Sequence, residues 1–181
     1  CCHFFDLMRL IAQSEPLKVY ASGNQDVNHL NEKYHGMVPD ILDNAFVIVD
    51  FENGVRAFLD LCMFAENSEF QEELCAVGTL GKVETEVPSN KSGIASSDIR
   101  IGLREITPAL KETIAVDPKI LEAGNHHGST YYEHQSFINA IRNNTKPEVS
   151  LNDGLIAVAI GEAAEISIKE GRVVQMSEFN L

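Results

Sequence analysis

The apolar residues of the first segment recur at spacings of three and four positions. Residues 3–12, HFFDLMRLIA, therefore predict an amphipathic helix with one apolar side. The residues on that side are Phe4, Leu7, Met8 and Ile11. A β-prone run over residues 17–22 predicts a strand, and Gly23 and Asn24 predict the turn that ends it. Residues 25–41 are polar and irregular, and they predict a loop of possible functional use.

Two β-prone runs, residues 45–51 and 55–64, flank an Asn53-Gly54 pair. Asn-Gly between such runs indicates a hairpin, because both residues tolerate positive φ. Alternate positions are apolar on both faces of these strands. An antiparallel sheet that is open to solvent shows one cleaner polar face. We therefore expect helices or another subunit to cover the second face.

Further strands are predicted after the hairpin. Residues 72–77 and 82–87 flank the tight turn 78–81, GTLG, and alternating apolar residues mark strands at 99–103 and 113–116. The turn joins two strands, so it lacks the helix N-terminus that would bind a pyrophosphate. The chain is not expected to bind a dinucleotide by itself.

The last third of the chain predicts two helices. Thr130 and Glu133 have the spacing of a capping box, and the helix predicted behind them covers residues 131–143. Its apolar stripe consists of His134, Phe137, Ile138 and Ile141, which favours His134 as a core histidine. Ser150 is predicted to cap a second helix that runs to Glu170, with Gly171 just past its end. Residues 173–176 predict a closing strand.

This order of elements indicates an α+β fold, with an open, largely antiparallel sheet and helices packed on one face. The length of 181 residues suits one domain. The chain does not begin with Met, and we expect it to be a part of a longer protein.

Charge and cysteine usage narrow the class of partner and the compartment. A net charge of −13 argues against nucleic acid and anionic membranes as partners. No apolar run approaches the roughly 18 residues of a membrane span. The cysteines, Cys1, Cys2, Cys62 and Cys75, match no zinc-site spacing. We expect Cys62 and Cys75 to be buried as small hydrophobes, in a reducing, cytoplasmic compartment.

His3 and Asp6 are three residues apart on the first predicted helix, so they project on one side. A carboxylate beside a histidine can fix its tautomer and raise its pKa. His3 is therefore a candidate general base for an alcohol. A structural or solvated histidine at the helix end is the alternative.

A second polar cluster covers residues 125–134, where three His and two Tyr precede and open a helix. Such a segment offers many donors and acceptors for hydroxyl groups. We take His126, His127, Tyr131 and Tyr132 as candidates for substrate binding. A metal site is not expected, because no HExxH motif or carboxylate partner accompanies them. The alternative for the two tyrosines is that they are half-buried aromatic residues.

Four stretches together resemble the Gfo/Idh/MocA oxidoreductases, the family of glucose–fructose oxidoreductase and inositol dehydrogenase. CCHFFDLMRLI resembles the family's H-x-x-D helix, and DNAFVIVDFENGVRAFLDLCMF resembles its hairpin. GTLGKVE resembles its G-T-x-G-x-x-E turn. The final segment, YYEHQSFINAIRNNTKPEVSLNDGLIAVAIGEAAEISIKEGRVV, resembles its last two helices. The matches follow the family's order over most of the chain.

The resemblance implies a single C-terminal domain over residues 1–181, for substrate binding and oligomerisation, with a dihydrodipicolinate-reductase-like sheet. It implies NAD or NADP, bound mainly by an N-terminal Rossmann domain that precedes this chain. It implies an oxidoreductase acting on the CH–OH group of a sugar, polyol or inositol, with His3 at the substrate hydroxyl together with a lysine of the Rossmann half. This chain alone is expected to be inactive. The open sheet face implies a homodimer or homotetramer.

Two other functions stay open from the sequence. One is a non-catalytic sheet module used for assembly or ligand binding. The other is a family member that uses NAD transiently to hydrolyse glycosides. An upstream G-x-G-x-x-G motif and a following lysine would favour an enzyme over the module.

Overall fold

A computed structural model describes residues 1–89, 92–123 and 126–181. The chain forms two compact units. Unit 1 contains Cys1–Ala65 and Val149–Leu181, and unit 2 contains Glu66–Glu148. The assignment of the whole chain to one domain stays a prediction.

The helices and strands follow the predicted order, with one addition. They are α1 (Cys2–Ala12), β1 (Pro16–Asn24), β2 (Asn44–Phe51), β3 (Arg56–Cys62), β4 (Phe70–Val77), β5 (Gly81–Pro88), β6 (Ser96–Leu103), β7 (Leu110–Ala115), α2 (Pro118–Ala123), α3 (Ser129–Asn143), α4 (Leu151–Glu170) and β8 (Val174–Gln175). The sequence did not predict the short helix α2. Single 3₁₀ turns lie at His126–Gly128 and Met176–Glu178.

Sheet 1, in unit 1, has the strand order β3-β2-β1-β8 and is antiparallel throughout. Helix α4 packs against β1, and α1 packs against α4. The core lies between these helices and the inner face of the sheet. Its fully buried apolar side chains are Val19, Val49, Phe51, Ile160 and Val174.

The hairpin of β2 and β3 confirms the Asn-Gly prediction. Gly54 has φ of 85°, and its N–H donates to the carbonyl of Phe51 at 3.0 Å. The prediction that Gly23 and Asn24 form a turn is wrong, because both pair with β2 inside the sheet. A Cβ at Gly23 would lie 2.6 Å from the carbonyl oxygen of Asn44. This glycine is therefore needed for close strand approach.

The outer face of sheet 1 is apolar and open to solvent. Tyr20, Ile48 and Phe58 form one row across three paired strands, and all three are exposed. The ring of Phe46 stacks on that of Phe58, with centroids 5.8 Å apart. No described helix of unit 1 packs on this face, although helices were one of the two covers expected from the sequence.

Sheet 2, in unit 2, has the strand order β4-β5-β6-β7 and is also antiparallel. A Cβ at Gly81 would lie 2.2 Å from the carbonyl oxygen of Gly102, so β5 and β6 need a glycine there. Cys75 lies on β4 and Cys62 ends β3, and both are exposed. The expectation that these cysteines are buried is wrong, because each projects from an uncovered face.

The two long helices begin differently. Ser150 caps α4 in a capping box with Asp153, and Gly171 follows at φ of 65°, as predicted. Thr130 does not cap α3, because the helix begins at Ser129, two residues before the predicted start, and its N-cap is Gly128 in a left-handed conformation. His134 is exposed, so its expected core position is wrong. The apolar stripe of α3 is open to solvent as well.

These elements confirm the α+β class and the antiparallel pairing, with the strands divided between two four-stranded sheets. Among the described residues, no helix is long and apolar enough to cross a bilayer.

Candidate functional site

Helix α1 is fixed to unit 1 on its inner side. Phe5 is only 3% exposed and belongs to the core. A Cβ added at Gly161 of α4 would lie 3.7 Å from Phe5 Cε2, which shows how closely the two helices approach. At the other end, Asn53 Nδ2 donates to the carbonyl of Ala12 at 2.9 Å. Contacts near both ends therefore fix the position of α1 within unit 1.

An ion-pair network fixes α1 to the start of α4. Arg9 Nη1 donates to Asp153 Oδ1 at 2.5 Å, and Arg9 Nε and Nη2 donate to the carboxylate of Glu15 at 2.8 and 2.7 Å. The guanidinium of Arg9 and the Ser150 cap lower the pKa of Asp153 well below its usual range. Asp153 thus stabilises two helices. It completes the capping box with Ser150 at the start of α4, and it accepts a hydrogen bond from Arg9 of α1.

His3 lies in the exposed first turn of α1. Its ring centroid is 4.1 Å from that of Phe4, at an interplanar angle of 46°. Asp6 follows one turn later and is partly buried. The structure thus places His3 at the exposed start of a well-anchored helix. Its catalytic role stays a prediction.

The second candidate group opens α3 in unit 2. His126, His127 and Gly128 have consecutive positive φ values of 54°, 52° and 88°. His126 Nδ1 lies 3.2 Å from Gln71 Nε2 and 3.7 Å from Glu72 Oε1. The Nε2 atom of His127 is buried without a hydrogen-bond partner among the described residues. Asn125 of the predicted cluster lies outside those residues.

Tyr131 and Tyr132 are both exposed at the start of α3. Their rings meet edge to face, with centroids 5.6 Å apart. Tyr132 also lines an open cleft of about 370 Å³ between α3 and the chain that follows it. The cleft contains a hydrogen bond of 2.9 Å from Ser136 Oγ to Glu148 Oε2. Its lining of hydroxyl, amide and charged groups suits a polar ligand.

The six predicted site residues fall into two groups. His3 and Asp6 belong to unit 1, whereas His126, His127, Tyr131 and Tyr132 belong to unit 2. The structure brings the members of each group together, and their association in one site stays a prediction. The polar residues of α3 that line the cleft were not predicted, because the sequence gives no sign of a groove beside that helix.

Asp43, which no sequence pattern marks as important, is a buried carboxylate that holds the start of the loop between β1 and β2. Its Oδ2 accepts the backbone N–H groups of Val27 and Asn28, both at 2.7 Å, and that of Asp26 at 3.1 Å. Burial by itself raises the pKa of Asp43, but these hydrogen bonds lower it to about 2. The carboxylate is therefore ionised at neutral pH and organises the loop.

The described residues contain no group of three or more His, Cys, Asp and Glu side chains that could hold a metal ion. The turn Gly78–Gly81 connects β4 to β5, with Gly78 N–H bonded to the Gly81 carbonyl at 2.8 Å. A pyrophosphate cradle uses the N–H groups at a helix start. This turn does not fit one, so no step involving a nucleotide is derived from it.

The sequence profile of an oxidoreductase family, described as its C-terminal alpha/beta domain (GFO_IDH_MocA_C), matches residues 1–176. No curated protein matches the chain significantly.

Solved structures of oxidoreductases share the fold. An Agrobacterium radiobacter oxidoreductase, in complex with NAD⁺, L-tartaric acid and magnesium, has a TM-score of 0.69 at 19% identity. The aldose-aldose oxidoreductase of Caulobacter crescentus, complexed with glycerol, has a TM-score of 0.66 at 19% identity. A putative myo-inositol dehydrogenase of Sinorhizobium meliloti has a TM-score of 0.63 at 23% identity. The matches cover 98, 96 and 97% of this chain but only 48, 45 and 48% of those proteins.

Proposed function

The chain belongs to the Gfo/Idh/MocA oxidoreductase family as its C-terminal alpha/beta domain, and from that membership we propose that the full-length protein is an NAD(P)-dependent dehydrogenase. Its substrate is a sugar, polyol or inositol, oxidised at a CH–OH group. The profile match over residues 1–176 carries this proposal. The aldose-aldose oxidoreductase and the putative myo-inositol dehydrogenase that share the fold support the substrate class.

Oxidation of a secondary alcohol removes a hydride from carbon and a proton from oxygen. NAD(P), held mainly by the nucleotide-binding half, supplies the hydride acceptor. The imidazole of His3 accepts or relays the proton as a general base. Its exposure in the first turn of α1 supports this role, because the turn is open while the rest of the helix is anchored by Phe5 and Arg9.

The remaining candidates bind the substrate in this proposal. Asp6 is on the same helix as His3, and its carboxylate can accept from a substrate hydroxyl. His126, His127, Tyr131 and Tyr132 supply further donors and acceptors at the start of α3. The polar cleft beside Tyr132 supports a ligand that is rich in hydroxyl groups.

We propose further that the protein assembles as a homodimer or homotetramer through the outer face of sheet 1. The exposed row of Tyr20, Ile48 and Phe58 supports this, because soluble monomers rarely expose contiguous apolar patches of large size. All four cysteines are free thiols and exposed, which supports a reducing, cytoplasmic compartment.

The test uses the full-length protein with a panel of sugars and polyols, monitored by NAD(P)H absorbance. For the best substrate, His3→Ala should lower kcat by about 10²–10⁴-fold, because that is the typical contribution of a positioned general base. The KM for the cofactor should stay nearly unchanged. The matched control is Lys169→Ala, on the exposed last turn of α4, which should keep full activity.

The pH profile separates a catalytic role from a structural one. A histidine base gives kcat/KM an acidic limb near neutrality, since the protonated ring cannot accept a proton. His3→Ala should lose that limb, and added imidazole should restore part of the rate. An unchanged kcat in His3→Ala would remove His3 from the mechanism. No turnover of any polyol or sugar would refute the dehydrogenase proposal.

A further inference from the structure

The loop between β1 and β2 has an unusual surface for a polar segment. We call residues 25–43 the apolar loop, because six of its seven large apolar side chains are exposed and only Leu42 is partly buried. The exposed side chains are Val27, Leu30, Tyr34, Met37, Val38 and Ile41. Met37, the most exposed of them, is 71% open to solvent. An ordered loop that exposes so many apolar groups indicates a contact surface.

The apolar loop is pre-formed. Its base is held by the three backbone N–H groups that donate to Asp43. Its tip is closed by paired backbone hydrogen bonds between Tyr34 and Met37, at 2.8 and 3.0 Å. Between them, Glu32 accepts from Tyr34 Oη at 2.7 Å and lies 2.9 Å from Nδ1 of His29. A surface that is already ordered loses little conformational entropy when it binds.

The apolar loop also continues the outer face of sheet 1. Asn44, on that face at the start of β2, donates to Asp26 Oδ2 at 2.7 Å and to the Asn24 carbonyl at 3.3 Å. Asn28 Nδ2 donates to the carbonyl of Met63, just past the end of β3, at 3.0 Å. The loop therefore lies next to the outer face, at the edge where β1 and β3 end and β2 begins.

The outer face of sheet 1 by itself is small for a protein interface of the usual size. Over the seven positions at which β1, β2 and β3 are all paired, the sheet offers a projected face of roughly 14 Å by 24 Å, or about 340 Å². A stable interface buries about 800 Å² on each partner. The projected face of the three strands is smaller than that value, and the apolar loop offers additional apolar surface beside it.

We propose that the apolar loop is the second half of the interface between two copies of this protein, packing on the partner copy beside the outer face of sheet 1. This inference rests on the proposed assembly through that face. It assigns the loop to contacts between two copies of the protein rather than to substrate binding.

The experiment measures the dissociation constant of the full-length protein by sedimentation equilibrium. Met37→Asp and Leu30→Asp in the apolar loop should each raise it by at least roughly tenfold, because they place a charge in a desolvated contact. The matched control is Leu151→Asp, on the first turn of α4, on the helix side of sheet 1. That residue is 96% exposed, so its variant should leave the constant unchanged.

Phe58→Asp, on the outer face itself, tests the proposed assembly separately. All of these residues are exposed, so unchanged melting temperatures will show that the variants fold. Dissociation by Phe58→Asp but by neither loop variant would overturn the loop inference and leave the sheet-face assembly in place. A monomeric wild-type protein, or full retention of assembly in all variants, would overturn both. Unchanged mass with a raised KM for NAD(P) in Met37→Asp would assign the loop to the nucleotide-binding half and overturn the inference.

Discussion

Asp43 shows how one side chain can determine the conformation of a long segment. It is 1% exposed, and the described hydrogen bonds of its carboxylate are all to groups of the loop or to its neighbour Asn44. A buried carboxylate is costly unless it is fully hydrogen-bonded, and three successive backbone N–H groups meet that requirement here. The residue is thus a structural anchor for the loop, and no catalytic role is needed to explain it.

We expect Asp43→Asn to disorder residues 25–41, because the amide offers one acceptor atom and presents donors to the backbone N–H groups. The melting temperature should fall by roughly 3–8 °C, the scale that follows from leaving buried donors unpaired in a chain of this size. Hydrogen exchange of the loop amides should become fast. Asp40→Asn, three residues earlier and exposed, is the matched control and should behave as wild type.

The same anchor predicts a dependence on pH. The pKa of Asp43 is about 2 in the folded protein, below its ordinary value of 3.8. A depressed carboxyl pKa stabilises the fold fully above the ordinary value and loses that effect as the pH falls toward 2. Loop protection should therefore be constant above about pH 5 and decline between pH 4 and 2. If Asp43→Asn showed the same decline, another group would be responsible.

The sequence could not identify Asp43, because its importance depends on a chain reversal of about 17 residues that brings Asp26 back to it. For the same reason it misjudged Cys62, Cys75 and His134. Each follows an apolar pattern, but a pattern reports which residues share a face and not what lies opposite that face. His3 and Asp6 are candidates both from their spacing on α1 and from the family motif that they resemble, and their roles stay predictions.

At the scale of elements, turns and helix ends are predicted correctly where a few neighbouring residues determine them. Gly54 has the positive φ that the Asn-Gly pair predicted, and Ser150 forms the expected cap on α4. Helix α3 shows the limit. Thr130 has cap spacing, but three consecutive left-handed residues before Ser129 start the helix earlier.

Two glycines of α4 should respond to alanine in opposite directions. Gly154 lies inside the helix, and a Cβ there would meet nothing within 4 Å. Gly154→Ala should stabilise the protein by about 0.5–1 kcal/mol, since alanine loses less backbone entropy. Gly171 sits past the helix end at φ of 65°, so Gly171→Ala should destabilise it by about 1 kcal/mol.

Chemical denaturation of the two variants measures both values, and each serves as the control for the other. Stabilisation by both substitutions would show that the turn after α4 relaxes to a right-handed conformation without cost. Destabilisation by both would show that Gly154 has a close neighbour in the full-length protein.

At the scale of the whole chain, the buried core is unevenly distributed. Its contiguous cluster of buried apolar residues lies entirely in unit 1. In the described part of unit 2, the buried residues are Pro88, Gly128 and Ala140. Local stability follows buried apolar contact, so the two units should open with different free energies.

Native-state hydrogen exchange on residues 1–181 tests this distribution. The amides of β1, β2 and α4 should be the slowest to exchange, and those of β4 to β7 should exchange through a less costly opening. Protection of β5 and β6 amides comparable to that of β1 and β2 would contradict this expectation. These four strands are comparable, because each is a central strand of its sheet and is paired on both sides.

The hydrogen bonds to Asp43 close the base of the apolar loop, so residues 29–42 begin and end at nearly one point of unit 1. The pairing of β1 with β2 is complete without any contribution from the tip of the loop. This segment can therefore be lengthened, shortened or replaced while the sheet beneath it keeps its register. The loop is a natural position for grafting a foreign peptide without refolding the sheet that carries it.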